Sequence, residues 1–404
     1  MRPTDRLKAA WLTAPANLAV MRALEAARPG CARYVGGCVR NTLRGLPSDD
    51  FDVATQLTPP EVIAALEAAS IRAVPTGLEH GTITAVHEGK PVEITTLRRD
   101  VETDGRRAVI AFTQDWTEDA ARRDFRLNAI YSGADGTLFE VIEGSIADAL
   151  AGRVIFIGDA DQRLREDYLR ILRFYRFNAW YGAGIDAVGQ AACARQREGL
   201  SNIAAERIWK ELKRTIAAPD PAAAMLAMED AGVLEAVLPG ASTALLPGLV
   251  AAETEAGLPP EPMRRLMALI PRRLREAGEC SARLKFSNEE SLRLSAWADP
   301  AVPHVLDAGG AAVAEAFYRF GAPSVLDRAV IEAASGAGGD LAALAARASA
   351  WARPKFPVGG SDALEAGLAG PDIGKALGAL EEAWIASGFT LSRNALVARL
   401  RMPR

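Results

Sequence analysis

A glycine pair followed by two aspartates constrains this chain more than any other feature. Gly36 and Gly37 stand before a helical stretch, and Asp50-Phe51-Asp52 follows it. Because glycine has no Cβ atom, its N–H groups can approach phosphate oxygens at the start of a helix. Alternate strand residues point to one face, so the two carboxylates should project together and share divalent cations. The spacing predicts a unit that holds a nucleotide triphosphate and its metals.

Two further charged residues fit the same chemistry. Arg40, one turn into the predicted helix, can add a guanidinium to the phosphates. Glu93 lies in the second strand of a predicted hairpin over 80–97, whose turn is Glu88-Gly89. If this hairpin packs beside the aspartate strand, three carboxylates surround two Mg²⁺ ions. One ion then activates the attacking hydroxyl and the other stabilises the leaving pyrophosphate. An exposed strand charge explains Glu93 equally well.

Three more motifs follow along the chain. They are Arg-Arg-Asp-Phe-Arg-Leu-Asn-Ala at 122–129, Glu-Asp-Tyr-Leu-Arg at 166–170 and Glu-Arg-Ile-Trp-Lys-Glu-Leu at 206–212. With the glycine motif, and in this order, they resemble those of the bacterial-type (class II) tRNA nucleotidyltransferases, the CCA-adding enzymes, which are related to bacterial poly(A) polymerases. Two positions depart from the family pattern: Asn41 replaces the usual Asp, and Arg126 replaces the usual Thr. We expect Asn41 to tune sugar or phosphate contacts and Arg126 to add positive charge near the nucleotide.

The resemblance implies template-independent addition of CCA, from CTP and ATP, to tRNA 3′ ends by two-metal nucleotidyl transfer. It makes Asp50, Asp52 and Glu93 catalytic, with Asp50 and Asp52 as Mg²⁺ ligands. It assigns base selection to Asp167 and Arg170, because a carboxylate and a guanidinium satisfy the base edge of cytosine or adenine, whereas guanine and uracil present a carbonyl to the carboxylate. The other nucleotide-binding residues that it implies are Gly36, Gly37, Arg40, Arg123, Arg173 and Arg176.

Two segments between these motifs carry further expectations. Apolar residues at helical spacing predict an amphipathic helix near 164–181, with Asp167, Arg170, Arg173 and Arg176 on a second face. An ordinary surface ladder of ion pairs is the alternative there. The polar segment 98–116 is predicted to be a mobile loop. In the family such a loop is associated with the switch from C to A addition; an unremarkable surface connection is the alternative.

The coarse pattern of elements predicts an α+β head followed by helices. We expect a nucleotidyltransferase head over 1–150, with a small mixed sheet and helices, then an all-α neck over 151–217 that recognises the base, and an all-α body and tail over 218–404 that binds tRNA. No apolar run reaches membrane-spanning length and the N-terminus lacks a signal peptide's apolar core, so we expect a cytoplasmic protein without a membrane partner.

Net charge is −4, but its distribution matters more than its sum for an RNA partner. Residues 151–214 hold 12 Lys or Arg against 8 Asp or Glu. A second basic cluster comprises Arg264, Arg265, Arg272, Arg273, Arg275, Arg283 and Lys285. Both are candidates for tRNA phosphate contacts, and solvated helix faces are the alternative.

Other functions fit parts of the same pattern. A poly(A) polymerase, or an enzyme that adds only A or only CC, would share the motifs. An RNA-binding protein on an inactive transferase scaffold is a more remote alternative, which the presence of both aspartates and of the Asp167–Arg170 pair argues against. The sequence does not indicate the oligomeric state.

Overall fold

The computed structural model describes residues 3–103 and 108–400. The chain divides into two compact units, Met1–Pro239 and Gly240–Arg404. The first unit combines a sheet with helices, and the second is helical. The α+β head and the helical remainder are therefore confirmed. The finer division at 150 and 217 stays a prediction.

A mixed sheet of eight strands forms the core of the first unit, in the order β1-β10-β9-β2-β3-β6-β5-β4. All neighbours in it are antiparallel except β3 and β6, which run parallel. Its inward side chains, such as Tyr34, Ile83 and Ile94, are fully buried. The strands of the described chain are β1 (Pro3–Arg6), β2 (Ala32–Val35), β3 (Asp52–Thr55), β4 (Arg72–Gly77), β5 (Thr82–His87), β6 (Lys90–Thr96), β7 (Arg98–Thr103), β8 (Ala108–Phe112), β9 (Ile130–Ser132) and β10 (Thr137–Glu140).

Helices cover the sheet and then continue the first unit. The helix that follows β3 begins with a capping box, in which Glu61 accepts a hydrogen bond from the Thr58 N–H at 2.8 Å. The helices of this unit are α1 (Pro15–Ala27), α2 (Gly37–Leu43), α3 (Pro59–Ala68), α4 (Trp116–Ala121), α5 (Ser145–Ala151), α6 (Ala160–Glu166), α7 (Leu169–Tyr181), α8 (Ala187–Gln196), α9 (Ala205–Ile216), α10 (Ala222–Asp230) and α11 (Val233–Val237).

The segment predicted as a loop over 98–116 is instead largely ordered. β7 and β8 pair antiparallel as a separate two-stranded sheet, with Arg98 opposite Phe112, and α4 begins at Trp116. The acids and arginines of this stretch gave no apolar alternation in the sequence, so the strand pattern was not predicted. Residues 104–107 of the predicted loop lie outside the described residues.

The single helix predicted near 164–181 is two helices, because the backbone opens at Asp167. Asp167 is extended, with φ −153° and ψ 105°, and its carboxylate accepts from the Leu169 N–H at 3.1 Å. Short acidic side chains compete with the helix for backbone donors in this way. Tyr168 is held against Gly199, where a Cβ atom would lie 2.1 Å from the Tyr168 ring. The break turns Asp167 out of the helix ladder on which the prediction placed it.

The second unit is built from helices around apolar clusters that include Val325, Phe317 and Trp384. Pro271 separates the helix Pro262–Leu269 from the helix Leu274–Leu284, because proline cannot continue a helix. The helices are α12 (Leu246–Glu255), α13 (Pro262–Leu269), α14 (Leu274–Leu284), α15 (Asn288–Ala298), α16 (Gly310–Phe320), α17 (Ala322–Ala334), α18 (Leu341–Ala350), α19 (Gly360–Glu365), α20 (Pro371–Ala386) and α21 (Arg393–Leu400). Within the described ranges, no helix has both the length and the apolarity to cross a membrane.

Candidate functional site

A cavity of about 520 Å³ lies in the first unit, where the start of α2 meets α7 and α9. Seven arginines and two aspartates line it, so its field favours an anion. Its volume falls within the usual range for small-molecule sites. All of the predicted nucleotide-binding residues line it except Arg176: Gly36, Gly37, Arg40, Arg123, Asp167, Arg170 and Arg173.

Gly36 shows why the motif needs a glycine at the start of α2. Its backbone has φ 74° and ψ −123°, a conformation that residues with a side chain rarely adopt. The nearest atom to a Cβ placed there would be Nη1 of Arg123 at 3.8 Å, an ordinary van der Waals contact, so the backbone conformation and not crowding requires the glycine. The chain therefore turns directly from β2 into α2 with its backbone facing the guanidinium.

A row of hydrogen bonds joins α7 to α2 beneath the cavity. Arg173 donates from Nε to Asp124 at 2.9 Å, and Asn128 donates to the other Asp124 oxygen at 3.0 Å. Arg40 then donates to the Asn128 side-chain oxygen at 2.5 Å and to the Tyr181 hydroxyl at 2.9 Å. Burial alone would raise the pKa of Asp124, but Arg173 and Asn128 outweigh burial and lower the pKa. We call Arg173, Asp124, Asn128 and Arg40 the inter-motif network.

Asp119, which the sequence analysis missed, positions two cavity arginines. It is 1% exposed and accepts from Arg122 at 2.7 Å, from Arg123 at 3.0 Å and from the Tyr131 hydroxyl at 2.9 Å. Burial opposes its ionisation, but the charges of Arg123 and Arg122 lower its pKa to about 2. The signal was present in the sequence, because positions three and four residues apart on a helix are neighbours.

The two predicted base-selecting residues both face the cavity but do not pair with each other. Asp167 forms a salt bridge with Arg207 at 3.2 Å. Arg170 donates to Glu166 at 2.6 Å and to the Arg163 carbonyl oxygen at 2.7 Å. Arg207, from α9, is a further cavity residue without an assigned role in the sequence analysis, although it belongs to the Glu-Arg-Ile motif.

Arg176 does not reach the cavity. It is directed at α9, where its Nε lies 2.5 Å from the buried carboxylate of Glu211, and its guanidinium stacks over the Phe177 ring. The expected triphosphate contact of Arg176 is not supported by this geometry. A helix of 3.6 residues per turn rotates successive i+3 positions around its axis, so the last arginine of the row faces the neighbouring helix.

The two departures from the motif pattern also have structural partners. Asn41 accepts from Arg40 at 2.9 Å and donates to the Pro47 carbonyl oxygen at 2.9 Å, and an aspartate could not make the second bond. It therefore orients Arg40, and its expected effect on sugar or phosphate contacts stays a prediction. Arg126 lies 3.7 Å from Asp148 of α5 and does not line the cavity, so the added charge expected near the nucleotide is not found there.

The predicted acidic residues lie on neighbouring strands. Asp52 on β3 and Glu93 on β6 are direct partners in the parallel pair, and the Glu93 N–H donates to the Phe51 carbonyl oxygen at 3.2 Å. β3 begins only at Asp52, so Asp50 stands before the strand and not within it as predicted. Partial desolvation, then the charges of Glu93 and Asp50, raise the pKa of Asp52 to about 6, and Arg123 opposes them.

This donor set fits a divalent cation. Carboxylate oxygens are hard ligands of the kind that Mg²⁺ prefers. Burial and the neighbouring charge of Glu93 both disfavour the ionised form of Asp52 and raise its pKa, and a bound cation would favour that form. Among residues 3–103 and 108–400, no three acidic, histidine or cysteine side chains are gathered into a ready metal site. Of the three predicted acids, Asp52 and Glu93 are thus opposite each other on paired strands, and Asp50 lies nearby. The three side chains would have to move to bind one metal ion together.

Three members of the second basic cluster are held by other protein groups. The other four, Arg273, Arg275, Arg283 and Lys285, are exposed, and their expected contact with tRNA stays a prediction. Arg264 and Arg265 are 6% and 1% exposed and pair with the buried Glu253 and Asp327. Arg272 donates to the Trp297 carbonyl oxygen at 2.9 Å. The sequence pattern of Arg264 and Arg265 is that of a surface cluster, because the acids that pair with them in the interior lie on other helices.

Comparisons with known proteins agree with the motif resemblance. One family model, the poly A polymerase head domain, matches residues 32–155, and a second, described as a probable RNA and SrmB-binding site of polymerase A, matches residues 185–245. The mouse protein named CCA tRNA nucleotidyltransferase 1, mitochondrial, is 33% identical over 397 residues, 91% of this chain and 86% of the relative. A CCA-adding enzyme of Geobacillus thermodenitrificans is 35% identical over 212 residues, 52% of this chain and 51% of its own.

Solved structures agree as well. The crystal structure of the Bacillus stearothermophilus CCA-adding enzyme in complex with CTP matches with a TM-score of 0.75 at 26% identity, over 95% of this chain and 96% of that one. A CCA-adding enzyme in complex with ATP matches with a TM-score of 0.71 at 17% identity, over 99% of each chain, which supports the fold.

We predict that Asp52→Asn raises the melting temperature of the metal-free protein near pH 7 but not near pH 4. The folded-state pKa of Asp52 is raised from 3.8 to about 6. Ionising it therefore costs folding free energy, and this cost appears as the pH rises from about 4 through about 6. Asparagine carries no such charge. Mg²⁺ should raise the melting temperature of the wild type and not that of the variant.

Scanning calorimetry at both pH values, with and without Mg²⁺, measures these effects. Asp49→Asn, which removes a neighbouring exposed carboxylate, is the matched control. Equal melting temperatures and equal Mg²⁺ responses for the wild type and Asp52→Asn would show that Asp52 carries neither the unfavourable charge nor the metal.

Proposed function

Because the chain belongs to the CCA tRNA nucleotidyltransferase family, we propose that it adds CCA, from CTP and ATP, to tRNA 3′ ends without a nucleic-acid template. The observation that carries the proposal is the arginine-lined cavity together with the register-paired acids Asp52 and Glu93. The link between them is Arg123, which lines the cavity and whose charge acts on Asp52.

The cavity residues hold and orient the nucleotide in this proposal. Arg123 and Arg173 lie on the cavity wall with their charges fixed by Asp119 and Asp124, so they are preorganised for triphosphate oxygens. The Gly36-Gly37 backbone allows close approach of the phosphates. Mg²⁺ held by Asp50, Asp52 and Glu93 would activate the terminal ribose hydroxyl and stabilise the pyrophosphate that leaves when the new bond to the α-phosphate forms.

In this proposal the base is selected by Asp167 and Arg170, which line the cavity where α6 ends and α7 begins. Asp167 accepts from the amino group of cytosine or adenine, and Arg170 donates to the adjacent ring acceptor. Arg207 holds the Asp167 carboxylate through its salt bridge, and Glu166 holds Arg170. Both groups are therefore oriented before the base enters. Guanine or uracil would set a carbonyl oxygen against Asp167 and leave polar groups unpaired, at a cost of about 1–3 kcal/mol per group.

The same chemistry would serve a poly(A) polymerase or an enzyme that adds only A or only CC. The relatives' names favour full CCA addition. A cytoplasmic location stays a prediction, since the mouse relative is named as mitochondrial.

Nucleotide incorporation on defined tRNA ends tests the proposal. The protein is incubated with CTP and ATP, one of them radiolabelled, and with tRNA transcripts that lack one, two or three terminal nucleotides. We predict that all three are completed to CCA and not extended further, and that Asp52→Asn incorporates nothing while it still binds tRNA. A long A tail would identify a poly(A) polymerase, and incorporation of only C or only A would identify a partial enzyme. Absence of any incorporation by the wild type would refute the proposal.

We also predict that Arg170→Ala loses its preference for CTP and ATP over UTP and GTP. Loss of one oriented donor removes a penalty of about 1–3 kcal/mol, which corresponds to roughly 5- to 150-fold in selectivity. The measurement is kcat/KM for CTP against UTP and GTP on tRNA that lacks all three terminal nucleotides, and for ATP against UTP and GTP on tRNA that ends in CC. Arg165→Ala, on the exposed side of α6, is the matched control. Selectivity equal to that of the wild type would remove Arg170 from base recognition.

A further inference from the structure

An exposed row of basic residues runs along α9 away from the cavity. Arg207 lines the cavity near the start of the helix, and Lys210 and Arg214 follow at spacings that place them on the same face. All three residues are exposed. With a rise of 1.5 Å per residue, the row is about 10 Å long. We call Arg207, Lys210 and Arg214 the α9 ridge.

The outer part of the α9 ridge has no acidic partner. Within the part of the chain that the structure describes, neither Lys210 nor Arg214 forms a salt bridge, whereas Arg207 pairs with Asp167. Glu206 is the acid of the first turn. The neighbouring buried acid, Glu211, is already neutralised by Arg176. Uncompensated cations in an exposed row suit the phosphates of a nucleic acid strand.

Trp180 stands at the far end of the α9 ridge. Its indole N–H donates to the Arg214 carbonyl oxygen at 2.8 Å, which ties the end of α7 to α9. The side chain is nevertheless 41% exposed. The structure describes all seven tryptophans, and the other six are buried or half-buried. An indole whose polar group is satisfied and whose ring meets solvent is suited to stack on a nucleobase.

We propose that the α9 ridge and Trp180 bind the single-stranded 3′ end of the tRNA as it enters the cavity. Lys210 and Arg214 contact its phosphates, and Trp180 stacks on one of its bases. The inference rests on the proposed function and assigns it a substrate surface. The α9 ridge also falls within the residues that match the RNA-binding family model. An acidic protein is the alternative partner. It could bind the cations, but the exposed indole ring of Trp180 would have no role in its recognition.

Equilibrium binding of two tRNAs tests this assignment. One tRNA ends in a single-stranded CC, and the other is trimmed to remove its 3′ single strand. The Lys210→Ala, Arg214→Ala double variant should bind the first about tenfold more weakly than the wild type. The slope of log affinity against log salt should fall in magnitude by about 1.4, which is 0.7 for each lost phosphate contact on a single strand. Both proteins should bind the trimmed tRNA equally.

Variants of Trp180 separate stacking from charge. Trp180→Ala should weaken binding of the tRNA with the CC end about fivefold or more, and Trp180→Phe should retain most of the affinity, because a phenyl ring still stacks. Neither variant should alter the salt slope. Lys90→Ala, which removes an exposed lysine at the turn between β5 and β6, is the control for losing a surface cation elsewhere and should bind both tRNAs as the wild type does.

Several outcomes would overturn the assignment. One is that the double variant binds the tRNA with the CC end as tightly as the wild type does. Another is that it loses affinity equally for both tRNAs, which would indicate a general anion-binding surface or a contact with the duplex. A loss in Trp180→Phe equal to that in Trp180→Ala would remove the stacking role. Since these are binding measurements, they decide the assignment even if the wild type incorporates no nucleotide, a result that would count against the proposed function alone.

Discussion

The buried carboxylate of Asp124 is the interaction on which the candidate site depends. It binds Arg173 from α7 on one side and Asn128 on the other, and Asn128 in turn holds Arg40 of α2. The glycine motif, the motif at 122–129 and helix α7, which are far apart in the chain, are thus joined by adjacent hydrogen bonds. Removing one member of such a network leaves a buried charge or dipole without its partner, which costs more than the bond itself contributes. The network therefore fixes where the cavity's positive charges stand.

The site combines satisfied and unsatisfied charge in neighbouring places. Asp119 neutralises part of the charge on Arg122 and Arg123, and this keeps a crowded group of guanidiniums compatible with a folded protein. Among the residues that the structure describes, Asp52 on β3 and Glu93 on β6 form no salt bridge, and burial together with the charge of Glu93 raises the pKa of Asp52. A metal-bound triphosphate would supply the cations to the acids and the anion to the arginines. The arrangement is therefore destabilised where it is expected to bind, as functional sites often are.

Patterns of local chemistry predicted much of the fold and the site. The glycine pair at the start of a helix and the hairpin strand that carries Glu93 each depend on neighbours in sequence, and both elements are found where expected. The family resemblance supplied the cavity residues of α7. A parallel strand pair places Glu93 beside Asp52. This pairing joins distant parts of the chain, so the sequence analysis could only assume it.

The remaining features depended on tertiary partners that a linear pattern does not reveal. The helix break at Asp167 follows from a side-chain bond to Leu169, and Arg176 is turned toward Glu211 of another helix. Arg264 and Arg265 resembled a surface cluster, because the acids that bury them lie on α12 and α17. The sequence analysis missed Asp119, although its spacing of three and four residues from Arg122 and Arg123 can be seen in the sequence. The structure therefore adds mainly the pairing of charges.

A double-mutant cycle between Asp124 and Arg173, measured by the equilibrium affinity for CTP, tests the central claim most directly. Asp124→Asn and Arg173→Gln are combined, and circular dichroism confirms that each variant is folded. If the network holds Arg173 in place for the nucleotide, the double variant should lose little more affinity than the worse single variant, with a coupling of about 1.5 kcal/mol or more. Losses that add to within about 0.5 kcal/mol would show that the two residues act independently and would contradict the account.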